Sequence, residues 1–217
     1  MIIHNFEREN TLLNKFTAEL RDIKIQTDRM RFRRNIERIG EILAYELSKT
    51  LTYESRIIRT PLGEKSVSEP NNKLVLCSVL RAGLPLHTGL LNYFDTAENA
   101  FISAFRHHPD ESDSFEIITD YLASPSIKDK TLVISDPMLA TGKTLENILK
   151  AFKKHGLPRQ IHIVAVIGST QGIDYIEKRF PENTHLWIAS VDEDLNSRGY
   201  IIPGLGDAGD LSYGTKL

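Results

Sequence analysis

Residues near the middle of the chain have the types and the order that bind an anion. A short apolar run at 132–134 leads through Asp136 into Thr-Gly-Lys-Thr at 141–144. Apolar residues then follow at helical spacing: Leu145, Ile148, Leu149 and Phe152. A strand, a loop and a helix N-terminus in this order present backbone N–H groups to an anion, most often a phosphate. The two threonine hydroxyls add donors, and the glycine lets the backbone come close to a ligand.

Part of this segment also matches the P-loop of nucleotide-binding kinases. The P-loop pattern requires a glycine five residues before Gly142, and Pro137 stands there instead. The mismatch falls on the first residue of the pattern, so a kinase is the weaker interpretation. ATP binding without binding of a sugar phosphate would support it.

A second loop of similar design carries an arginine. An apolar run at 73–79 leads into Leu-Arg-Ala-Gly at 80–83. This places Arg81 at the C-terminal end of a strand and before a glycine, which suits a diphosphate ligand. The alternative is an ordinary surface arginine. The strand predicted at 100–106 ends on Arg106 in the same way.

The C-terminal segment, 192–215, is rich in glycine but is too apolar for a free tail. Glycines and a proline within 203–209 predict neither helix nor regular strand there. Four apolar side chains argue for an ordered segment: Tyr200, Ile201, Ile202 and Leu205. An ordered glycine-rich loop exposes backbone N–H and C=O groups, which suit a flat heterocycle with donors and acceptors along its edge. Such backbone contacts reject a mismatched base, because buried groups would stay unpaired.

Together these motifs resemble the uracil phosphoribosyltransferase family of type I phosphoribosyltransferases. The resemblance rests on Leu-Arg-Ala-Gly at 80–83, Asp-Pro-Met-Leu-Ala-Thr-Gly at 136–142 and Gly-Tyr-Ile-Ile-Pro-Gly-Leu-Gly-Asp-Ala-Gly-Asp at 199–210. The pieces occur in the family's order from Arg81 to the end of the chain, and weaker likeness reaches the N-terminal helices.

Three positions depart from the family pattern. Lys143 stands where a second glycine is usual, and Tyr213 where phenylalanine is usual. His-Thr-Gly at 87–89 stands where the family commonly has an acid before the glycine. The lysine brings a long cationic side chain beside the phosphate loop, where it either strengthens anion binding or points to solvent.

The resemblance implies a pyrimidine-salvage reaction. Uracil and phosphoribosyl pyrophosphate (PRPP) would give UMP and pyrophosphate, with Mg²⁺ bound on PRPP and no direct metal ligand in the protein. It also implies a homodimer or larger homo-oligomer and leaves activation by GTP open.

The family's site residues carry over residue by residue. Those implied for PRPP are Arg81, Arg106, Asp136, Pro137, Met138, Leu139, Ala140, Thr141, Gly142, Lys143, Thr144 and Asp207. Those implied for uracil are Ile201, Gly206, Asp207 and Ala208. Of these, Asp207 and Arg81 are the catalytic candidates.

Periodicity along the whole chain predicts an α/β fold. Helices are predicted at 11–23, 28–49, 84–94, from 145 to about 155, and at 170–180. Strands are predicted at 56–60, 73–79, 100–106, 132–134, 161–167 and 185–189, with a loop at 63–72 and an extended arm at 115–122. Alternating strands and helices indicate a mostly parallel sheet flanked by helices, the type I phosphoribosyltransferase fold.

We expect one domain over 1–217. Its parts would be N-terminal helices at 1–55, a core sheet at 73–190 and a base-binding hood at 191–217.

Composition limits the classes of function. The chain has 217 residues with 41% apolar and 26% charged residues, as in ordinary globular proteins. A formal charge of −2 argues against nucleic acid as a partner. Cys77 is the only cysteine, which excludes an intrachain disulfide and predicts a buried small side chain. No apolar run reaches membrane-spanning length and the N-terminus lacks a signal-peptide core, so we expect a cytoplasmic protein without a membrane partner.

Two charged clusters have competing interpretations. Five arginines crowd one predicted helix: Arg29, Arg31, Arg33, Arg34 and Arg38. A solvated helix face is the ordinary interpretation, and a subunit contact or an anionic effector site is the functional one. A second cluster comprises His107, His108, Asp110, Glu111 and Asp113. It lacks metal-ligand spacing, so we expect a solvated loop.

The resemblance leaves rival functions open. One is a protein with this fold that senses uracil or a nucleotide without catalysis, and another is a phosphoribosyltransferase for a different base. An assay for UMP formation from uracil and PRPP distinguishes the enzyme from a sensor without catalysis. An assay of several bases with PRPP distinguishes it from a phosphoribosyltransferase for a different base.

Overall fold

The computed structural model describes the backbone of residues 1–107 and 116–216 and the side chains of 1–103 and 121–216. Within these ranges the helices are α1 (Leu12–Arg21), α2 (Arg29–Ser48), α3 (Leu84–Leu91), α4 (Lys143–Phe152), α5 (Thr170–Glu177) and α6 (Ala208–Tyr213). The strands are β1 (Ile2–Asn5), β2 (Tyr53–Thr60), β3 (Gly63–Pro70), β4 (Leu74–Leu80), β5 (Glu98–His107), β6 (Glu116–Ala123), β7 (Thr131–Ser135), β8 (Met138–Leu139), β9 (Gln160–Ser169), β10 (His185–Asp192), β11 (Asp194–Leu195) and β12 (Ile201–Ile202).

One mixed sheet organises the fold. Its strand order is β1-β10-β9-β7-β4-β5-β6, with β8 paired to β9. Every pairing is parallel except that of β5 with β6. The predicted α/β class with a mostly parallel sheet is therefore confirmed. The pairs β2–β3 and β11–β12 form two small antiparallel sheets of their own.

Helices cover both faces of the sheet. Successive residues of a strand point to opposite faces, and here both faces carry apolar side chains that must be buried. Leu76 and Val133 face a core built with α1, α2 and α3. Cys77 and Ile134, the next residues, face a second core built with α4 and α5. Burial raises the pKa of the Cys77 thiol to about 12, so this side chain acts as the packing residue that the sequence predicts.

The N-terminal helices are capped as their sequences allow. Thr11 caps α1 by accepting from the backbone N–H of Leu13, while the Asn14 side chain accepts from the Thr11 N–H. Asp28 caps α2 by accepting from the N–H of Arg31. Both predicted helices are confirmed within two residues at each end.

The arginine cluster on α2 mostly binds neighbouring side chains. Arg31 forms an ion pair with Glu19 of α1 at 2.9 Å. Arg34 pairs with Glu37 one turn along α2, and the Arg38 guanidinium lies 5.3 Å from the centre of the Phe16 ring. The contacts of Arg31 and Arg38 join α1 to α2, and that of Arg34 lies within α2. They favour the structural interpretation for these three arginines.

Two predictions about local structure are wrong. Residues 63–72, predicted as a loop, contain β3, which pairs with β2 in a hairpin. Both of its faces are largely exposed, so the alternating apolar pattern of a half-buried strand is missing. The prediction that 203–209 excludes helix is also wrong, since α6 begins at Ala208 and includes Gly209. The Asp207 side chain caps this short helix, and side chains distant in sequence bind its far end.

Several boundaries also differ from the predicted ones. The helix predicted at 84–94 ends at Leu91, and the one predicted at 170–180 ends at Glu177. The predicted extended arm corresponds to β6 from residue 116 onward. The edge strand β1 was not predicted, because four residues carry too short a pattern.

Some predicted features lie outside the described residues. The backbone of Arg106 and His107 belongs to β5, but their side chains are not among those described. Residues 108–115, which include the predicted solvated loop, are also outside the described range. In the part of the chain that is described, no helix combines the length and the apolar character needed to cross a membrane.

The edge formed by β1, β10 and β9 carries three histidines around one tryptophan. Trp187 Nε1 donates to His162 Nδ1 at 3.0 Å, and the His4 ring stacks on Trp187 at 3.8 Å between centres. Burial lowers the pKa of His162 to about 3 and lowers those of His4 and His185 as well. At neutral pH these lowered pKa values keep all three imidazoles neutral in the folded protein.

This cluster predicts loss of stability in acid. In the unfolded chain His162 binds a proton below about pH 6.5. In the folded protein its lowered pKa lets it bind a proton only near pH 3. The free energy of unfolding therefore decreases as the pH is lowered from about 6.5 to about 3. For this residue the decrease is at most about 1.4 kcal/mol per pH unit. His162→Gln, which keeps an acceptor for Trp187, should flatten the fall measured by urea titration at several pH values. His155→Gln, outside the cluster, is the control; an unchanged slope in His162→Gln contradicts the assignment.

Candidate functional site

The phosphate loop lies between β7 and α4 at the carboxyl edge of the sheet. Gly142 is the N-cap of α4, with φ at +75°. Lys143 is the first residue of this helix, and its side chain is exposed. The loop encloses a small cavity of about 30 Å³ lined by Asp136, Met138, Leu139, Ala140, Thr141, Gly142, Thr144 and Leu145. Seven of the nine residues predicted at 136–144 thus line one cavity, the exceptions being Pro137 and Lys143.

Backbone hydrogen bonds hold this loop against β9. The N–H of Asp136 donates to the carbonyl of Val164 at 3.1 Å, and the carbonyl of Pro137 accepts from Val166 and Ile167. The Asp136 carboxylate accepts from the N–H of Met138 at 3.2 Å. Because the loop is fixed in this way, its cavity exists before any ligand binds.

Two residues that the sequence did not single out support the loop from behind. The Ser169 hydroxyl donates to the Ala140 carbonyl at 2.6 Å and accepts from the N–H of Gly172. A Cβ added to Gly172 would lie 2.0 Å from the Ala140 oxygen. The signal was present, since a serine between an apolar run and a helical pattern is a typical helix N-cap.

Gly142 is required by packing as well as by its positive φ. A Cβ at this position would lie 2.8 Å from Ile176 and 2.9 Å from Tyr175, both on α5. The glycine therefore allows α5 to approach the phosphate loop, in addition to any room it leaves for a ligand.

Arg81 lies directly after β4, the strand next to β7. Its guanidinium donates to the Asp210 carboxylate at 2.8 Å and to the Gly214 carbonyl at 3.3 Å. The side chain remains 40% exposed. Close packing fixes the turn after it, because a Cβ on Gly83 would lie 2.7 Å from the Ser135 carbonyl at the end of β7. Arg81 thus connects the carboxyl edge of the sheet with α6.

The base loop, residues 201–208, folds back onto the same edge. Ile201 and Ala208 are buried in the core that also contains Ala140, and Met138 packs against it. Gly204 makes the tight turn, with φ at +60°. The turn has no space for a side chain, because a Cβ at this position would lie 2.1 Å from the Ile201 carbonyl oxygen. Both loops therefore lie at the carboxyl edge of the sheet and bury side chains in the same core.

Asp207 has a structural role of its own. Its carboxylate caps α6 by accepting from the N–H of Asp210 at 2.9 Å, and it lies 3.8 Å from the Lys216 ammonium. A cavity of about 420 Å³ adjoins it, lined by Gln26, Thr27, Arg29, Gly206, Asp207, Asp210, Leu211 and Thr215. The volume is within the range of small-molecule sites.

Arg33 reaches α6 from the arginine cluster on α2. It donates to the Ser212 carbonyl at 2.6 Å and lies 5.8 Å from the centre of the Tyr213 ring. With Arg81 it places two cations at the C-terminal end of α6, where the helix dipole favours them. Sequence analysis grouped Arg33 with its neighbours and could not identify this partner.

Larger cavities occur at the opposite edge. One of about 560 Å³ is lined by residues at the amino ends of β4 and β5, among them Leu51, Tyr93 and Lys130. Ligands of parallel α/β sheets bind outside the carboxyl ends of the strands, and the two glycine-bearing loops lie there. We therefore assign the candidate site to the carboxyl edge despite its smaller volumes.

Comparisons with known proteins show the family to which the chain belongs. The family model described as uracil phosphoribosyltransferase matches residues 8–215. A uracil phosphoribosyltransferase of Porphyromonas gingivalis is 55% identical over 209 residues, which cover 96% of each chain. One of Thermococcus gammatolerans is 38% identical over 219 residues, covering 99% of this chain and 94% of the relative.

Solved structures show the same fold. A protein from Aquifex aeolicus has a TM-score of 0.87 at 33% identity, covering 99% of this chain and all of the other. A hypoxanthine phosphoribosyltransferase of Staphylococcus aureus has a TM-score of 0.50 at 17% identity, over 87% of this chain and 84% of the other, and indicates the fold alone. From its matched length and its relatives, the chain belongs to the uracil phosphoribosyltransferase family.

Proposed function

We propose that this protein transfers the 5-phosphoribosyl group of PRPP to uracil, giving UMP and pyrophosphate. The observation that carries the proposal is that the base loop and the phosphate loop lie at the same edge of the sheet and bury side chains in one core. Ile201 and Ala208 share one core with Met138 and Ala140, while Arg81 lies between the sheet and α6. The purified protein should convert labelled uracil to UMP only when PRPP and Mg²⁺ are both present. Absence of UMP would reject the function.

The phosphate loop would hold the 5-phosphate of PRPP. Thr141, Gly142 and Thr144 line its cavity at the N-terminus of α4, where backbone N–H groups and threonine hydroxyls are available to a phosphate. Asp136, at the start of the loop, would face the ribose hydroxyls. Binding energy gained here, away from the reacting carbon, would orient C1 of the ribose toward the base.

Arg81 and Arg106 would neutralise the pyrophosphate as it leaves. Arg81 already binds the carboxylate of Asp210, and two contacts use two of its five N–H donors. A diphosphate offers the same charge-assisted bonds with more negative charge. For Arg106 the proposal rests on the family likeness and on its place near the end of β5.

Magnesium would arrive with PRPP and add charge neutralisation at the leaving group. The residues present suit this arrangement. Asp136 and Asp207 lie on separate loops, and within the described residues no group of three or more His, Cys, Asp or Glu could hold a metal ion. The oxygen atoms of PRPP would therefore supply most of the ligands, as Mg²⁺ sites with phosphate substrates commonly do.

The base loop would recognise uracil through its backbone. Ile201, Gly206, Asp207 and Ala208 are the contacts implied by the family, and a fixed backbone rejects cytosine by leaving a buried group unpaired. The Asp207 carboxylate would also stabilise the positive charge that develops at C1.

A homo-oligomer fits the exposed hairpin β2–β3. Ile57 and Leu62 on it are 69% and 99% exposed. A two-stranded hairpin is marginally stable by itself, so a second copy of the chain is a suitable partner. A monomeric mass in sedimentation would contradict this.

We further propose that the enzyme is cytoplasmic and has no nucleic-acid or membrane partner. A fluorescent fusion of the protein should then give a diffuse signal in the cell by microscopy.

We propose GTP as an effector of the oligomer. Arg29 lines the cavity beside Asp207, and Arg33 binds the Ser212 carbonyl of α6, so two arginines of α2 lie near the site. An anionic nucleotide bound there would raise turnover through α6. Rates that do not change with GTP would remove it as an effector.

The first site prediction concerns Asp207. Asparagine is as good an N-cap as aspartate, so Asp207→Asn should keep α6 and the melting temperature. It should lower kcat about 10-fold or more, because the charge facing C1 is lost. Asp207→Ala, which also removes the cap, is the companion variant and should lose stability as well. Wild-type kinetics in Asp207→Asn would reject its catalytic role.

The second concerns Arg81. Arg81→Ala should raise the KM for PRPP by about 10-fold or more and change the KM for uracil less, because charge-assisted bonds to the diphosphate disappear. Arg8→Ala, at an exposed position outside the hairpin β2–β3 and the proposed site, is the control. Steady-state kinetics with each substrate varied in turn make the comparison. An unchanged KM for PRPP removes Arg81 from the site.

The third concerns Lys143. Lys143→Gly restores the family residue, and Lys143→Arg keeps the charge. If the ammonium assists phosphate binding, the glycine variant should raise the KM for PRPP roughly threefold at low salt, and the difference should shrink at high salt. The arginine variant should resemble wild type. Equal KM values in all three proteins would make Lys143 a solvent-facing bystander.

A further inference from the structure

An ion pair whose two residues belong to neither loop fixes the turn of the base loop. Arg21 is the last residue of α1, and Asp192 is the last residue of β10. Two guanidinium nitrogens of Arg21 donate to the two carboxylate oxygens of Asp192 at 2.8 and 2.9 Å. The side chains are only 21% and 8% exposed. A bidentate pair with so little solvent has one well-defined geometry.

Both partners of this pair also bind the backbone of Gly204. Arg21 donates to the Gly204 carbonyl at 2.9 Å, and the Asp192 carboxylate accepts from the Gly204 N–H at 3.2 Å. Both backbone polar groups of the turn residue are therefore bound to charged side chains.

Gln26 extends the contact to the next residue. Its side-chain amide donates to the Leu205 carbonyl at 3.2 Å and to the Leu20 carbonyl at 2.9 Å. The amide thus connects the C-terminal end of α1 with the base loop. Gln26 also lines the cavity beside Asp207.

Outer contacts hold the pair itself. Arg21 donates to the Ser190 hydroxyl at 2.9 Å, and that hydroxyl donates to the Glu7 carboxylate at 3.0 Å. The same carboxylate accepts from the Val191 N–H. The N-terminal segment and β10 thus position Arg21, which in turn positions Gly204.

We propose that Arg21 and Asp192 are positioning residues that set the affinity and selectivity for the base. The inference rests on the proposed function and adds to it a specificity role for residues outside both loops. Gly204 lies between Ile201 and Gly206, two of the proposed uracil contacts. Binding through fixed backbone groups tolerates displacements of only about 0.5 Å. A guanidinium that binds a carboxylate with two nitrogens and a carbonyl at the same time cannot be replaced by an ammonium.

The test compares Arg21→Lys with wild type. We expect the KM for uracil to rise about 10-fold, the KM for PRPP to stay within about twofold, and the preference for uracil over cytosine to fall. Asp192→Asn, which keeps an acceptor for the Gly204 N–H, should shift the same quantities in the same direction. It serves as the second variant if Arg21→Lys folds poorly. Arg31→Lys is the control, because Arg31 makes a bidentate pair with Glu19 and has no bond to the base loop.

Calorimetric binding of UMP and of ribose 5-phosphate separates this inference from the proposed function. Arg21→Lys should weaken UMP roughly 10-fold and leave ribose 5-phosphate unchanged, whether or not the protein turns over. Equal losses for both ligands, or no loss for either, would overturn the positioning role. A wild-type protein that binds UMP in this Arg21-dependent way but forms no UMP would overturn only the proposed catalysis.

Discussion

The parallel register of four strands is the constraint on which the site depends. Pairing of β4 with β7, of β7 with β9 and of β9 with β10 puts their carboxyl ends at one edge. Arg81, the phosphate loop, Ser169 and Asp192 each follow or end one of these strands. Groups distant in sequence therefore meet without any loop having to cross the sheet, and the main-chain ladder provides the rigidity that a preorganised site needs.

Arginines then fasten the C-terminal segment to this edge. Arg21 binds the turn at Gly204, while Arg33 and Arg81 bind carbonyls at the far end of α6. A glycine-rich segment loses much conformational entropy when it becomes ordered. Charge-assisted bonds at both of its ends, together with burial of Ile201, Leu205 and Ala208, offset that cost. The arginines of α1 and α2 thereby connect the N-terminal helices to the proposed chemistry, although they lie outside every sequence motif.

Sequence reasoning worked where the signal is local. Apolar runs and helical spacing predicted the central strands, and the order strand, glycine, helix predicted the phosphate loop. It failed where the determining partner is distant. The partner of Arg21 is 171 residues away, and α6 forms despite Gly209 because Asp207 caps it and two arginines bind its end. The hairpin strand β3 was missed because its exposed faces carry no apolar alternation.

The central claim is that the phosphate and base loops form a single site, and fragment binding tests it most directly. Calorimetry should be performed on wild type with UMP, ribose 5-phosphate and uracil under one buffer condition. If the loops act together, one ligand that reaches both should bind far more tightly than either fragment, since the second contact becomes intramolecular. We predict an affinity for UMP at least about 100-fold above that for ribose 5-phosphate. Equal affinities for these two ligands would show that the base loop contributes nothing and would contradict the account.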